Sequence, residues 1–478
     1  MRFRWVQCQL DYIKSLKCDA ERREALVSLP PGLPDTYQRI LNPITKPDIV
    51  VATKALRWLV CTQRPLTLSQ LAVAIAIEPA TSRFNEEKKL DDDEMILTIL
   101  GSLVRQNAET AAVEVAHFSV VEYLTSASLP DGSFNRYYID QEEGHAELLH
   151  CCLTRLSFDH ADSDESVDNP DQHSFLSYAI FQWPLHAKRA EQNVKAVALT
   201  KPFLSSPESL VFRRWRDYWE AGFDPNLRVN LPETHSGLYY AAMFGLPRIV
   251  ESFLQSREAI TAAGGIALLA AARDGNEEVI DLLINANVDP MGSTRTALGW
   301  TALHRAVYNA HKNFVRKLLA TQIDVGVQDA DGWTALHIAI SEGYGDLTQL
   351  LLANGANPSV QVYESGWAPL HFAAQQGMID ILKVLLEAGA DVVQLTKNGS
   401  TPLQIAILHE QRHAFGFLVS QIKSGVSWQF PDEQQSPDGI ATAFERCKEE
   451  LNENQGDDRR IPRLSTSTSG TASGTSKI

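Results

Sequence analysis

The strongest constraint on this chain is a pattern that returns at a nearly fixed interval through its second half. Thr301-Ala302-Leu303-His304-Arg305-Ala306, Thr334-Ala335-Leu336-His337-Ile338-Ala339, Ala368-Pro369-Leu370-His371-Phe372-Ala373 and Thr401-Pro402-Leu403-Gln404-Ile405-Ala406 are variants of one hexapeptide. Weaker copies lie around Leu238 and Leu268, so the anchoring leucines stand at 238, 268, 303, 336, 370 and 403, in steps of 30, 35, 33, 34 and 33 residues. Clear copies lead into a second apolar run, such as Ile381-Leu382-Lys383-Val384-Leu385-Leu386 ahead of Gly389. A unit this short cannot bury its own apolar face, so neighbours must stack into a linear array with one continuous core.

Each residue type has a physical reason. The small Ala306, Ala339, Ala373 and Ala406 let first helices approach closely, and the leucine pairs seal second helices against the next unit. Gly343, Gly355, Gly377 and Gly389 sit where a helix closes through a left-handed residue. Asp331-Gly332 and Asn398-Gly399 are turn dipeptides for the tips between units. In the last copy Glu410 replaces the closing glycine, and with His409, Arg412 and His413 it makes that unit polar, as an end cap should be. Period and hexapeptide together resemble ankyrin repeats, which implies a turn plus two helices per unit and about six repeats over 236–424.

Upstream, periodicity predicts a helical stub over 1–44, with Phe3, Val6, Leu10, Ile13 and Leu16 in one stripe and a break at Pro30, Pro31 and Pro34. Over 45–129 the order is helix, extended piece, helix, helix, hairpin, helix. Val50 to Cys61 is apolar on one face, Thr67-x-x-Gln70 starts the helix Leu71 to Ile77 as a capping box, and Asp91 to Glu94 precede the helix Met95 to Leu103. Val104 to Gln106 and Val113 to Phe118 can pair, and Ser119-x-x-Glu122 caps a last helix. This is a winged-helix pattern.

Three stretches carry a wider resemblance: Leu29-Pro30 through Leu41, Leu56-Arg57-Trp58-Leu59 through Leu71, and His117-Phe118-Ser119-Val120-Val121-Glu122-Tyr123-Leu124. With Tyr178-Ala179, Trp183-Pro184 and His186-Ala187, they resemble the segment that follows the nucleotide-binding module in NACHT-ankyrin proteins of filamentous fungi, which are signalling NTPases of the STAND class. The winged helix resembles the type labelled after GPI inositol-deacylase, a label that carries no lipase activity with it. The expected organisation is mainly α: the stub, the winged helix, a helical connector over 130–235, the ankyrin solenoid, and a polar disordered tail over 425–478. Within the connector, helices are expected over His145 to Leu156, Phe175 to Trp183 and Arg214 to Trp219, with a polar loop from Asp159 to Gln172.

No G-x-x-x-x-G-K-[ST] phosphate loop is present, and Gly470-x-x-x-Gly474-Thr475-Ser476-Lys477 is wrongly spaced for one. No G-x-S-x-G nucleophile turn occurs either, so the sequence assembles no enzyme. The resemblance implies a nucleotide-sensing role for His117; its residues alone indicate a half-buried histidine at a strand-to-helix junction. His304, His337 and His371 recur once per repeat, too far apart to share one metal ion and suited to hydrogen bonding within each turn. Cys151-Cys152 has no matching pair, and His145, His150, His160, His173 and His186 are irregularly spaced, so no cofactor or metal is expected.

A net charge of −16 and the acidic start of the helix after Asp91 argue against nucleic acid. The apolar runs are too short to span a membrane. Six scattered cysteines fit a reducing compartment, which indicates the cytoplasm, with the nucleus as the alternative.

The expected function is therefore non-catalytic binding of a protein partner, with no membrane, nucleic acid or small-molecule substrate. The candidate surface is Trp300, Trp333 and Trp367, each after a turn glycine, with the first-helix positions Arg305, Tyr308, Asn309, Ser341, Glu342, Phe372, Gln375 and Gln376. The alternative is a truncated or split part of a nucleotide-switched STAND NTPase whose phosphate-binding module lies elsewhere.

Overall fold

A computed structural model describes residues 18, 21, 33–79, 81, 83–126, 135–158, 174–221, 236–289 and 298–422. The N-terminal stripe before residue 18, the loop 159–172, the tail and the glycine-serine near-miss at Gly470 lie outside the described residues. Those that are described form two compact units, one up to Gln255 and one from Ser256.

The first unit begins with α1 (Leu33–Leu41) and α2 (Lys46–Cys61). Strand β1 (Leu66–Thr67) runs into α3 (Leu68–Ala76), and Thr67 caps that helix as the sequence predicts. Thr67 Oγ1 accepts from the Gln70 amide at 3.3 Å, while Gln70 Oε1 accepts from the Thr67 amide at 3.0 Å. Helix α4 (Met95–Leu100), β2 (Val104–Gln106), β3 (Ala112–Val115) and α5 (Phe118–Thr125) complete a winged helix. Its antiparallel sheet has the order β1-β3-β2, with Val104 opposite Val115 and Leu66 opposite Val113.

Two local expectations are corrected. The second wing strand ends at Val115 and Phe118 is already helical. Its cap is His117, whose Nδ1 accepts the Ser119 amide at 3.2 Å, so Ser119 sits inside the helix and its hydroxyl lies 2.8 Å from the Tyr37 hydroxyl.

The connector helices are α6 (Gln141–Ser157), α7 (Phe175–Arg189), α8 (Val194–Leu204) and α9 (Leu210–Ala221). Their core is aromatic. Trp58 meets Phe175 edge-on at 5.4 Å, and Trp183 meets Trp215 at 5.4 Å. The first hairpin of the repeat series, α10 (Gly237–Phe244) and α11 (Pro247–Leu254), completes this core: Phe244 lies 5.4 Å from Trp183 and Tyr240 5.1 Å from Trp215.

The second unit is a run of helical hairpins: α12 (Arg257–Asp274) with α13 (Glu277–Asn285), α14 (Ala302–Tyr308) with α15 (Lys312–Ala320), α16 (Ala335–Ser341) with α17 (Gly345–Ala353), α18 (Pro369–Gln375) with α19 (Ile379–Glu387), and α20 (Pro402–Leu408) with α21 (Arg412–Gln421). The anchoring leucines and the motif alanines are all buried. Helix-closing residues keep the left-handed turn whatever their identity: Gly343 and Gly377 do, and so do Ala310 and Glu410, at φ of 56° and 53°. Helix α12 extends well N-terminal of its motif, which the weak repeat pattern there did not indicate.

Candidate functional site

Between consecutive hairpins the chain runs out into fingers, and the per-repeat histidines hold these in register. Nδ1 of His337 accepts the Thr334 amide at 3.1 Å, which fixes the ring at the start of its own helix. The opposite nitrogen, Nε2, then carries the proton and donates to the Val360 carbonyl of the next finger at 3.1 Å. His304 makes the same pair of bonds, to the Thr301 amide at 3.2 Å and the Trp333 carbonyl at 3.2 Å. His371 does so with the Ala368 amide and the Gln394 carbonyl, both at 3.1 Å. The bonding within each turn matches the expectation, and the bond onward to the next repeat adds to it. Burial lowers the pKa of His337 and of His371 to about 4, against the backbone carbonyls, which favour the charged form.

Trp333, Trp367, Phe372 and Gln375 come together in a single open cleft of about 420 Å³, whose rim carries Asp331, Val362, Glu364 and Ser365. Phe372 sits between the indoles, 4.9 Å from Trp333 and 5.0 Å from Trp367. All three rings are half-buried, and both carboxylates are exposed.

Trp300 packs on Tyr308 at 5.3 Å and donates through Nε1 to Asp329 at 3.0 Å. Asn309 caps its own helix by donating to the Arg305 carbonyl at 2.9 Å, and Gln376 donates to the Ser341 carbonyl at 2.9 Å. Glu342 and Gln376 remain exposed, while Arg305 is half-buried. Sequence reasoning missed Asp331 and Glu364 as surface groups, because Asp331 stood out only as a turn former. The signal was there in the acid that precedes Trp333 by two residues and the one that precedes Trp367 by three.

His117, at its capping position, also holds Nδ1 within 2.6 Å of the Ser119 hydroxyl. A second polar cluster is internal to the first unit. Thr62 Oγ1 donates to the Arg64 carbonyl at 2.7 Å, so Tyr178, 2.8 Å away, must donate to Thr62. Tyr178 is then an acceptor for His186 Nε2 at 2.9 Å, and His186 Nδ1 an acceptor for His145 Nδ1 at 2.9 Å. In this one-way chain His186 donates through Nε2 and accepts through Nδ1, so its imidazole is neutral, and burial depresses its pKa and that of His145. It explains the Tyr178, Trp183 and His186 stretch as packing chemistry. No group of three or more His, Cys, Asp or Glu placed to hold a metal occurs among the described residues. No helix there is long and apolar enough to cross a membrane.

The hairpin array and the three-stranded wing define an ankyrin-repeat protein with a winged-helix domain. Family comparison agrees: residues 238–329, 293–362 and 360–427 match ankyrin repeats, and residues 45–134 match the GPI inositol-deacylase winged helix domain. Ankyrin repeats are non-catalytic interaction modules. The chain is similar to azaphilone pigments biosynthesis cluster protein L of Monascus ruber, with 27% identity over 310 residues, 58% of this chain and 65% of that protein. The chain thus matches just under two thirds of that relative's length.

Proposed function

We propose that this chain is a non-catalytic adaptor in intracellular signalling, whose ankyrin fingers and first-helix faces bind a protein partner while the winged helix acts as a regulatory spacer. The observation that carries this reading is the aromatic cleft at Trp333, Trp367 and Phe372. Large rings left half-exposed on fingers tied to one another are what interface hot spots are made of. The exposed Tyr308, Glu342 and Gln376 extend the same candidate surface. The test is to identify a partner by cross-linking to the full chain, then measure its affinity for the triple variant Tyr308→Ala, Glu342→Ala, Gln376→Ala. A drop of about tenfold or more is expected; unchanged affinity with an unchanged circular dichroism spectrum refutes the reading.

The winged helix, of a type linked to NACHT proteins, supports a second reading in which another chain supplies the phosphate-binding module and His117 senses its nucleotide. Micromolar ADP binding to the full chain, lost in His117→Ala, is the result that would install it.

A further inference from the structure

We propose that the cleft between the fingers of Trp333 and Trp367 receives an arginine side chain from a basic segment of the partner, an inference that rests on the protein-binding reading and names the partner's chemistry. Three aromatic faces meet in one cavity of about 420 Å³, roomy enough for one long side chain. Phe372 leans on both indoles, at interplanar angles of 52° and 61°, so the rings line the cavity from different directions instead of stacking shut. Aromatic faces carry negative quadrupole density and attract cations.

The rim decides the kind of cation. Asp331 and Glu364 bring carboxylates to the mouth, and neither makes an ion pair or side-chain hydrogen bond among the described residues. Lys397, on the following finger, is committed elsewhere, since its ammonium donates to the Tyr363 carbonyl. A planar guanidinium satisfies both halves of the site, because it stacks on a ring while its edge donates N–H groups to carboxylates. A quaternary ammonium would use the rings and leave the carboxylates without hydrogen bonds. The net charge of −16 draws a basic segment towards the chain before contact.

The test uses the full-length chain and fluorescein-labelled twelve-residue peptides, identical and lysine-flanked except for one central residue: Arg, Lys, trimethyl-Lys or Gln. Fluorescence anisotropy should rank the Arg peptide tightest, about tenfold tighter than Gln. Trp367→Ala and the double variant Asp331→Asn, Glu364→Gln should each abolish that preference. The double variant preserves side-chain shape at exposed positions, so it reads the cleft without disturbing the fold.

An Arg peptide no tighter than the Gln peptide overturns the proposal, as does a preference that survives in the variants. Tightest binding of trimethyl-Lys also overturns it, and would assign the cleft to a methylated lysine. The two surfaces are separable. Loss of partner binding in the Tyr308, Glu342, Gln376 variant together with no Arg preference sinks the cleft alone. The reverse pattern sinks the wider surface and leaves the cleft standing.

Discussion

Replacing His337 tests whether the fingers are held by the per-repeat histidines. The ring is fully buried and makes two kinds of bond: it accepts the Thr334 amide at 3.1 Å and donates to the Val360 carbonyl at 3.1 Å. His337→Ala removes both. The Thr334 amide is left inside the protein without an acceptor, which costs about 1–3 kcal/mol, and the vacated ring space adds about 1 kcal/mol. The half-buried Val360 carbonyl recovers part of its loss from water. A total of about 3 kcal/mol follows.

His337→Gln separates the two bonds, and the protein contains its own precedent. At the equivalent place in the last repeat Gln404 accepts the Thr401 amide through Oε1 at 2.7 Å. Glutamine should therefore restore the cap and lose only the onward bond, at about 1 kcal/mol. Because unfolding of a chain with two compact units is not a single transition, amide exchange resolved over the helices at 335–341 and 345–353 is the suitable assay. Exchange there should accelerate on the order of a hundredfold in the alanine variant and about fivefold in the glutamine variant. Equal acceleration in the two would refute the separate roles assigned to the ring nitrogens.

The same histidines predict a pH dependence. Folded His337 and His371 have a pKa of about 4, below the 6.5 of the unfolded chain, so the unfolded state binds more protons between those values. Stability of the array is therefore complete above pH 6.5 and lost as pH falls towards 4, by about 1.4 kcal/mol per unit for each histidine. Array exchange rates at pH 7 and pH 5, corrected for intrinsic rates, should show this loss, reduced by about half in His337→Gln. A second prediction concerns the strained closing residue Ala310, at φ 56°. Ala310→Gly should slow exchange over 302–320 by an amount equivalent to about 0.5–1 kcal/mol, since relief of left-handed strain exceeds glycine's entropic cost; faster exchange contradicts it.

The array was legible because its information is periodic. One hexapeptide repeated with leucine and alanine in fixed places leaves little freedom, and even Glu410, which breaks the glycine rule, adopts the turn its position demands. The connector was harder. Helix α8 has no clear stripe and carries Pro202, while α7 continues through Pro184 to Arg189 because aromatic packing around Trp183 outweighs the lost backbone bond. The cap of α5 went to His117 instead of Ser119 because an imidazole nitrogen accepts an amide as a hydroxyl does. The cleft was half legible. Each tryptophan follows a finger glycine, which gives no sign that Trp333 and Trp367 are joined through Phe372, at the hexapeptide position held by Arg305 and Ile338 in the two preceding copies.

That single aromatic also accounts for why the cleft can be ready before a partner arrives. Its two walls belong to neighbouring fingers, and those fingers are tied at both ends. Near the tips the Tyr363 amide donates to the Asp331 carbonyl at 2.9 Å, and near the base His337 donates to the Val360 carbonyl. Trp333 and Trp367 therefore cannot drift apart without breaking backbone-directed bonds, and Phe372, rooted on its helix, fills the angle between them. Rings fixed this way lose little conformational freedom when a ligand enters, so more of the stacking and charge attraction is expressed as affinity. The His337 ring thus serves recognition as well as stability. Its neutral Nδ1 accepts the Thr334 amide and fixes the ring, and from that fixed place Nε2 donates the bond to Val360 that holds the spacing between the two indoles.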